Sequence, residues 1–166
     1  IITPYFKDLE NVYIGYSPER ISPGDVQHTL KNTVKIISSG NSKCLKKMEE
    51  IYSKIAPITK VYSTKVAEAS KILENVQRDV NIALINEFGI MFHKMGINTE
   101  DVLEAARTKW NFLDFKPGLV GGHCIGVDPY YMKYAADRVG YHPTILSESR
   151  KLNEYMVHYV TEAILK

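Results

Sequence analysis

With 166 residues, 45% of them apolar and 24% charged, the chain is long enough to bury a core and too apolar to stay disordered. A net charge of +2, with no dense basic run beyond the scattered Lys43, Lys46 and Lys47, gives no reason to expect a nucleic-acid partner. No apolar run approaches the roughly 20 residues of a membrane-spanning helix. No signal peptide is visible, and Cys44 and Cys124 share no metal-type spacing, so the simplest reading is a reduced, cytoplasmic chain without metal or membrane contact.

In chain order, Val12-Tyr13-Ile14-Gly15-Tyr16 reads as a short buried strand, broken by the prolines and glycine of Ser17-Pro18-Glu19-Arg20 and Ser22-Pro23-Gly24-Asp25. Glu19 on this loop is either a solvated carboxylate or, since ligands of open α/β sheets gather beyond strand ends, a group placed for chemistry. Thr33 to Ser38 alternates as a second strand and ends at Gly40-Asn41-Ser42, where Asn or Ser caps a helix expected over about Lys43 to Ile55. Cys44, Met48, Ile51 and Ile55 share that helix's apolar stripe, which makes Cys44 a small core residue. Pro57 stops the helix, and Ile58 to Tyr62 forms another strand, so this part reads as the tail of a parallel α/β sheet.

From about Thr64 to Met95 no proline occurs, and one long helix is expected, closed at Gly96 and about 45 Å in length. Ala69, Leu73, Val76, Val80, Ala83, Leu84, Phe88 and Met91 fill its apolar side. Lys71 and Asn75 lie one turn apart on the opposite side, where spacing alone makes them solvated surface residues. A short helix from Asn98 through Ala106, an irregular stretch, a helix from Tyr130 to Val139 closed at Gly140, and a last helix from Ser147 to Leu165 complete the chain.

The irregular stretch carries Val120-Gly121-Gly122-His123-Cys124-Ile125-Gly126-Val127-Asp128. Paired glycines allow close backbone approach to a ligand, and Cys124 is a nucleophile wherever its thiolate is favoured. The residue types alone leave open a turn around a buried structural cysteine.

Phe115-Lys116-Pro117-Gly118-Leu119, Gly121-Gly122-His123-Cys124 and Val127-Asp128-Pro129-Tyr130-Tyr131 together resemble the active-site cysteine signature of the UDP-glucose/GDP-mannose dehydrogenase family, the nucleotide-sugar 6-dehydrogenases. The wording is most similar to the bacterial UDP-N-acetylglucosamine and UDP-N-acetylgalactosamine 6-dehydrogenases of surface-polysaccharide pathways, with UDP-glucose and UDP-N-acetylmannosamine as alternative substrates. The resemblance implies an NAD-dependent, two-step oxidation of a C6 alcohol to a uronate through Cys124. Segment Glu68 to Asn75 is similar to the family helix whose lysine and asparagine line the active site, which carries those roles to Lys71 and Asn75. Pro18-Glu19 matches the family's Pro-Glu pair, whose carboxylate helps activate water; a second glutamate of some relatives is Pro23 here, and its role does not transfer. Asp128 would handle protons, while Phe115, Gly118, Gly121, Gly122, His123 and Arg20 would meet the sugar nucleotide.

The resemblance further implies that residues 1–63 are the C-terminal part of an NAD-binding α/β domain and residues 64–166 a mainly α-helical central domain that pairs subunits into a homodimer. Because the chain opens on Ile1 without Met and lacks a G-x-G-x-x-G turn, it reads as an excised piece whose main cofactor site lies outside it and which is inactive by itself. Two rival readings are a cysteine hydrolase pairing Cys124 with a histidine, and a dimerisation module without catalysis.

Overall fold

The computed structural model describes residues 3–6, 8–22, 24–122 and 124–165. Its elements are α1 (Thr3–Phe6), β1 (Lys35–Ser38), α2 (Ser42–Tyr52), β2 (Ile58–Val61), α3 (Thr64–Lys94), α4 (Thr99–Arg107), α5 (Asp128–Asp137) and α6 (Thr144–Ile164). The chain divides into two compact units, Ile1–Lys71 and Ile72–Lys166.

In the first unit β1 and β2 are parallel, in register from Lys35 opposite Ile58 to Ser38 opposite Val61. Parallel neighbours need a crossover, and α2 supplies it. All four residues of β1 are buried, the polar Lys35 and Ser38 included. Asn41 caps α2 as its sequence implies, Oδ1 accepting the Cys44 N–H at 3.0 Å. The helix does not run on to Ile55, however. It ends at Tyr52, and a tight turn returns the Ala56 N–H to the Tyr52 carbonyl at 3.0 Å, satisfying the helix end locally before Pro57. Ile51 and Ile55 are consequently exposed, Leu45 is the buried residue of α2, and Cys44 is half-buried rather than core.

The strand expected over 12–16 is reduced to one antiparallel bridge between Tyr16 and Ser38, closed by two backbone bonds of 2.8 Å. Beyond it a side chain replaces the ladder, the Ser39 hydroxyl donating to the Ile14 carbonyl at 2.8 Å, while the Ser38 hydroxyl adds a bond of 2.7 Å to the Tyr16 carbonyl already in the bridge.

The second unit is helical, as expected. Gly96, at φ +70°, closes α3 in the left-handed conformation glycine tolerates, with the Ile97 N–H reaching the Phe92 carbonyl at 2.9 Å. Asn98 caps α4 by accepting the Glu100 N–H at 2.9 Å. Helix α5 starts two residues earlier than its apolar pattern indicates, because Pro129 fits a first helical turn, where an N–H would be unsatisfied anyway. Helix α6 likewise starts at Thr144, directly after Pro143.

Burial bears out the expected apolar side of α3 at Val76 and Ala83 but not elsewhere. Asn75 is buried, together with Asp79 and Asn86, whereas Leu73, Leu84, Phe88 and Met91 are exposed. On α6, Ser147 and Asn153 are buried alongside Met156, and Ile164 is exposed.

Candidate active site

At 100° per residue Asn75, Asp79 and Asn86 fall within about 40° of one another around α3. Their exposures are 3%, 0% and 0%. A buried polar group must be paired, and each of these holds a different part of the second unit.

The described residues of 108–127 contain no helix or strand, and α3 holds this stretch at two points, Gly118 and the following Asp128. Near its middle, Gly118 donates its N–H to Asn86 Oδ1 at 2.7 Å and accepts Asn86 Nδ2 on its carbonyl at 3.0 Å, so one side-chain amide takes both backbone groups. At its far end Asn75 Nδ2 donates to Asp128 Oδ2 at 2.6 Å, while Arg78 donates to Asn75 Oδ1 at 3.1 Å. Cys124 lies four residues before Asp128. Its carbonyl accepts the N–H groups of Val127 and Asp128 at 3.2 and 2.9 Å, which winds the chain into α5. Its thiol is free and the residue exposed, correcting the buried-cysteine alternative. Gly122 adopts φ +88°, a conformation that only glycine holds without strain.

A polar line runs on from this grip. Asn86 Nδ2 also donates to Asn153 Oδ1 at 2.9 Å, Asn153 Nδ2 donates to Asp79 Oδ1 at 2.8 Å and to the Asp79 carbonyl at 3.0 Å, and Arg150 donates to Asp79 Oδ1 at 2.7 Å. Asp79 Oδ2 is buried without a partner among the described residues. Arg150 lies 5.6 Å from the centre of the Tyr130 ring and 3.6 Å from Glu154. The Tyr130 hydroxyl donates to Glu154, and this bond, aided by burial, raises the phenol's pKa.

Of the residues singled out from sequence, Asn75 and Asp128 are brought into direct contact, and Gly118 is anchored to the same helix. Phe115 is half-buried, and Gly121 is exposed. His123 lies outside the described residues. Lys71, half-exposed, is the last residue of the first unit. Glu19 belongs to that unit too and is fully engaged. Lys35 donates to Oε2 at 2.8 Å, and the N–H groups of Arg20 and Ile21 donate to Oε1 at 2.8 and 2.9 Å. The Lys35 hydrogen bond, reinforced by the two backbone donors against a smaller burial penalty, holds the Glu19 carboxyl below the usual glutamate range. Glu19 borders a cavity of about 280 Å³ together with Ser17, Lys35 and Tyr52. Arg20 donates to the Val34 carbonyl at 2.8 Å. Among the described residues no group of three or more His, Cys, Asp or Glu is placed to hold a metal ion, and no helix is long and apolar enough to cross a membrane.

Sequence reasoning missed Arg78, Asp79, Asn86, Arg150 and Asn153. The signal was present in the spacing of polar residues 75, 79 and 86, which follows one helix face as closely as the apolar residues follow another.

The model of the UDP-glucose/GDP-mannose dehydrogenase family, central domain, matches residues 65–155, and the chain belongs to this family. It is 52% identical over 159 residues to the UDP-N-acetyl-D-glucosamine 6-dehydrogenase of Salmonella typhi, covering 95% of this chain and 37% of that protein. It is 50% identical over 159 residues to protein CapL of Staphylococcus aureus, covering 95% and 38%. Among solved structures, the UDP-D-ManNAc dehydrogenase of Pyrococcus horikoshii superposes with a TM-score of 0.82 at 31% identity, over 92% of this chain and 36% of that one. The chain thus spans less than two fifths of the length of these relatives.

Proposed function

We propose that the protein acts as an NAD-dependent UDP-N-acetylhexosamine 6-dehydrogenase, oxidising the C6 alcohol to a carboxylate through a covalent Cys124 intermediate, in the cytoplasm and in the service of surface-polysaccharide synthesis. The observation that carries this reading is the Asn75–Asp128 hydrogen bond of 2.6 Å, which joins two residues given catalytic roles by the family resemblance, one on α3 and one four residues after Cys124. The names of the S. typhi and P. horikoshii relatives supply the substrate class. Residues 1–63 act as the end of the cofactor domain and residues 64–166 as the central domain.

NAD would accept the two hydrides released per carboxylate formed; the chain has no G-x-G-x-x-G turn, and none of its residues is assigned to hold the dinucleotide. The steps left to this chain are covalent and acid–base. Cys124 Sγ bonds to the C6 aldehyde carbon and the thiol proton passes to the former carbonyl oxygen, giving a thiohemiacetal. After the second oxidation has made a thioester, water adds to its carbon and the C–S bond breaks. The thiol returns with one proton, a second proton goes to solvent, and the carboxylate leaves.

Asn75 Nδ2 carries two hydrogens and gives one to Asp128, so the other serves the substrate oxyanion; the family resemblance gives Lys71 the cationic part of that task. Asp128, oriented by Asn75, relays the proton of the attacking group, from the thiol to the former carbonyl oxygen and later from water toward the departing sulfur. Glu19, already accepting three hydrogen bonds, positions water rather than deprotonating it. The homodimer forms through the exposed apolar side of α3, where Leu84 and Val80 share a groove of about 530 Å³ with Ile145, Leu152 and Tyr155.

The test is Cys124→Ser in the intact protein, with UDP-N-acetylglucosamine and NAD supplied and the sugar product identified. A hydroxyl is a far weaker nucleophile than a thiolate near neutral pH, so carboxylate formation should stop. Carboxylate at the wild-type rate would reject the covalent route.

A further inference from the structure

The polar line from Arg150 to Gly118 has a direction. An ionised carboxylate only accepts, so Asn153 must turn its NH₂ toward Asp79, and its oxygen is left facing Asn86. Asn86 must then donate to Asn153, which fixes its amide with the oxygen toward the Gly118 N–H and the nitrogen toward the Gly118 carbonyl. Arg150 holds the Asp79 oxygen that starts the sequence. Each amide orientation is set by the one before it, and the last is a two-point grip on loop backbone only six residues before Cys124. The opposite end of that loop segment is gripped by Asn75 through Asp128.

We propose that Asn86 is a positioning residue for Cys124: its oriented amide, clamped on both backbone groups of Gly118, fixes the upstream anchor of the cysteine loop against the same helix that fixes the downstream one. Asn86 touches no reacting atom in this scheme and acts through the loop. The proposal rests on the reading of Cys124 as the nucleophile. Its consequence is specific to the second half of the reaction, because the first oxidation needs only bound alcohol, whereas aldehyde capture needs Cys124 Sγ at bonding distance from C6. A loosened loop therefore lets aldehyde escape.

The experiment uses the intact protein with UDP-N-acetylglucosamine, NAD and a hydrazide that traps free aldehyde. Asn86→Ala should lower carboxylate turnover by between about ten- and a hundred-fold, the effect of misplacing a reacting group by about 1 Å. Hydrazone should appear that wild type does not give. A merely structural role would lower both oxidations in proportion. An aldehyde-to-carboxylate ratio equal to wild type in the folded variant would overturn the proposal. Hydrogen exchange on the wild type needs no variant: a Gly118 amide protected well beyond the surrounding loop supports the grip, and one exchanging as fast as an exposed loop amide overturns it. Cys124→Ser run in parallel separates the two claims, since undiminished carboxylate from that variant overturns the nucleophile and the positioning role together, whereas an unchanged product ratio in Asn86→Ala removes only the latter.

Discussion

The two sides of α3 depart from the usual order of a helix in water, since polar residues share the buried side with Val76 and Ala83 while large apolar ones stay outside. Toward the second unit's interior it presents Asn75, Asp79 and Asn86, each buried and hydrogen-bonded; on the other side Leu73, Leu84, Phe88 and Met91 stand exposed. At 100° per residue the four exposed residues lie within about 60° of one another, and the polar stripe is roughly half a turn away. Apolar contacts are non-directional and tolerate repacking, while amides and carboxylates accept few geometries. The inner side thus specifies where the cysteine loop sits, and the outer side supplies area without specifying detail. A catalytic loop wants the first property and a subunit interface can use the second.

The strongest way to break this contrast is Asp79→Ala. It leaves Arg150, whose side chain is 12% exposed, without its buried counter-charge, and removes the acceptor that orients Asn153. Losing one partner of a buried ion pair costs about 3–5 kcal/mol. The urea midpoint of the second unit should fall accordingly, and an unchanged midpoint would show that the inner stripe contributes little.

Asn75→Ala separates catalysis from folding on the same stripe. Turnover should drop about a hundred-fold, as for removal of one oxyanion donor, with the midpoint shifted less than in Asp79→Ala. Steady-state kinetics alongside urea titration of the two variants would reveal the opposite ranking if the assignment is wrong.

On the outer side, Leu73→Glu with Leu84→Glu should convert a dimer to monomer in sedimentation while leaving the monomer's stability within about 0.5 kcal/mol, the usual range for surface changes. A wild-type chain that sediments as a monomer at micromolar concentration would remove the interface altogether.

The smallest effect comes from the ion pair in the first unit, which has a buried lysine and an exposed carboxylate: the Lys35 side chain is 9% exposed and that of Glu19 is 62%. Because the folded pKa of Glu19 is depressed, its contribution is complete above the unfolded value of about 4.3 and is lost as pH falls through the lower, folded value. Glu19→Gln should therefore be less stable than wild type at pH 6, with the gap closing toward pH 3; a gap that widens on acidification would reverse the sign.

Much of the architecture was legible in the residues. The proline-free span to Lys94, the Asn41 and Asn98 caps and the left-handed Gly96 and Gly140 each announce a helix boundary by local chemistry. The strand expected at 12–16 shrank to one bridge because the Ile14 carbonyl is taken by the hydroxyl of Ser39, which comes some twenty-five residues later and leaves no mark on the apolar pattern. The motif pointed to the cysteine loop and to Asn75, whose amide meets Asp128 in the structure, but it did not point to Asn86, Asp79, Asn153 or Arg150. Scoring a helix by its apolar residues assumes that only the apolar side is inside, and on α3 the buried residues are Asn75, Asp79 and Asn86 as well as Val76 and Ala83.

Gly15 has no room for one more carbon atom. A Cβ built there would stand 2.2 Å from Met48 Sδ and 3.2 Å from Cys44 Sγ. Position 15 is therefore not an independent site but half of a volume shared with α2, and the two halves should drift together. Gly15→Ala alone forces the flexible end of Met48 to swing aside and should destabilise by about 1 kcal/mol or less, at the low end of overpacking. Combined with Met48→Val, which surrenders the space the new methyl needs, the pair should lose less than the sum of its single changes, and relatives with a side chain at 15 should carry a shorter residue at 48.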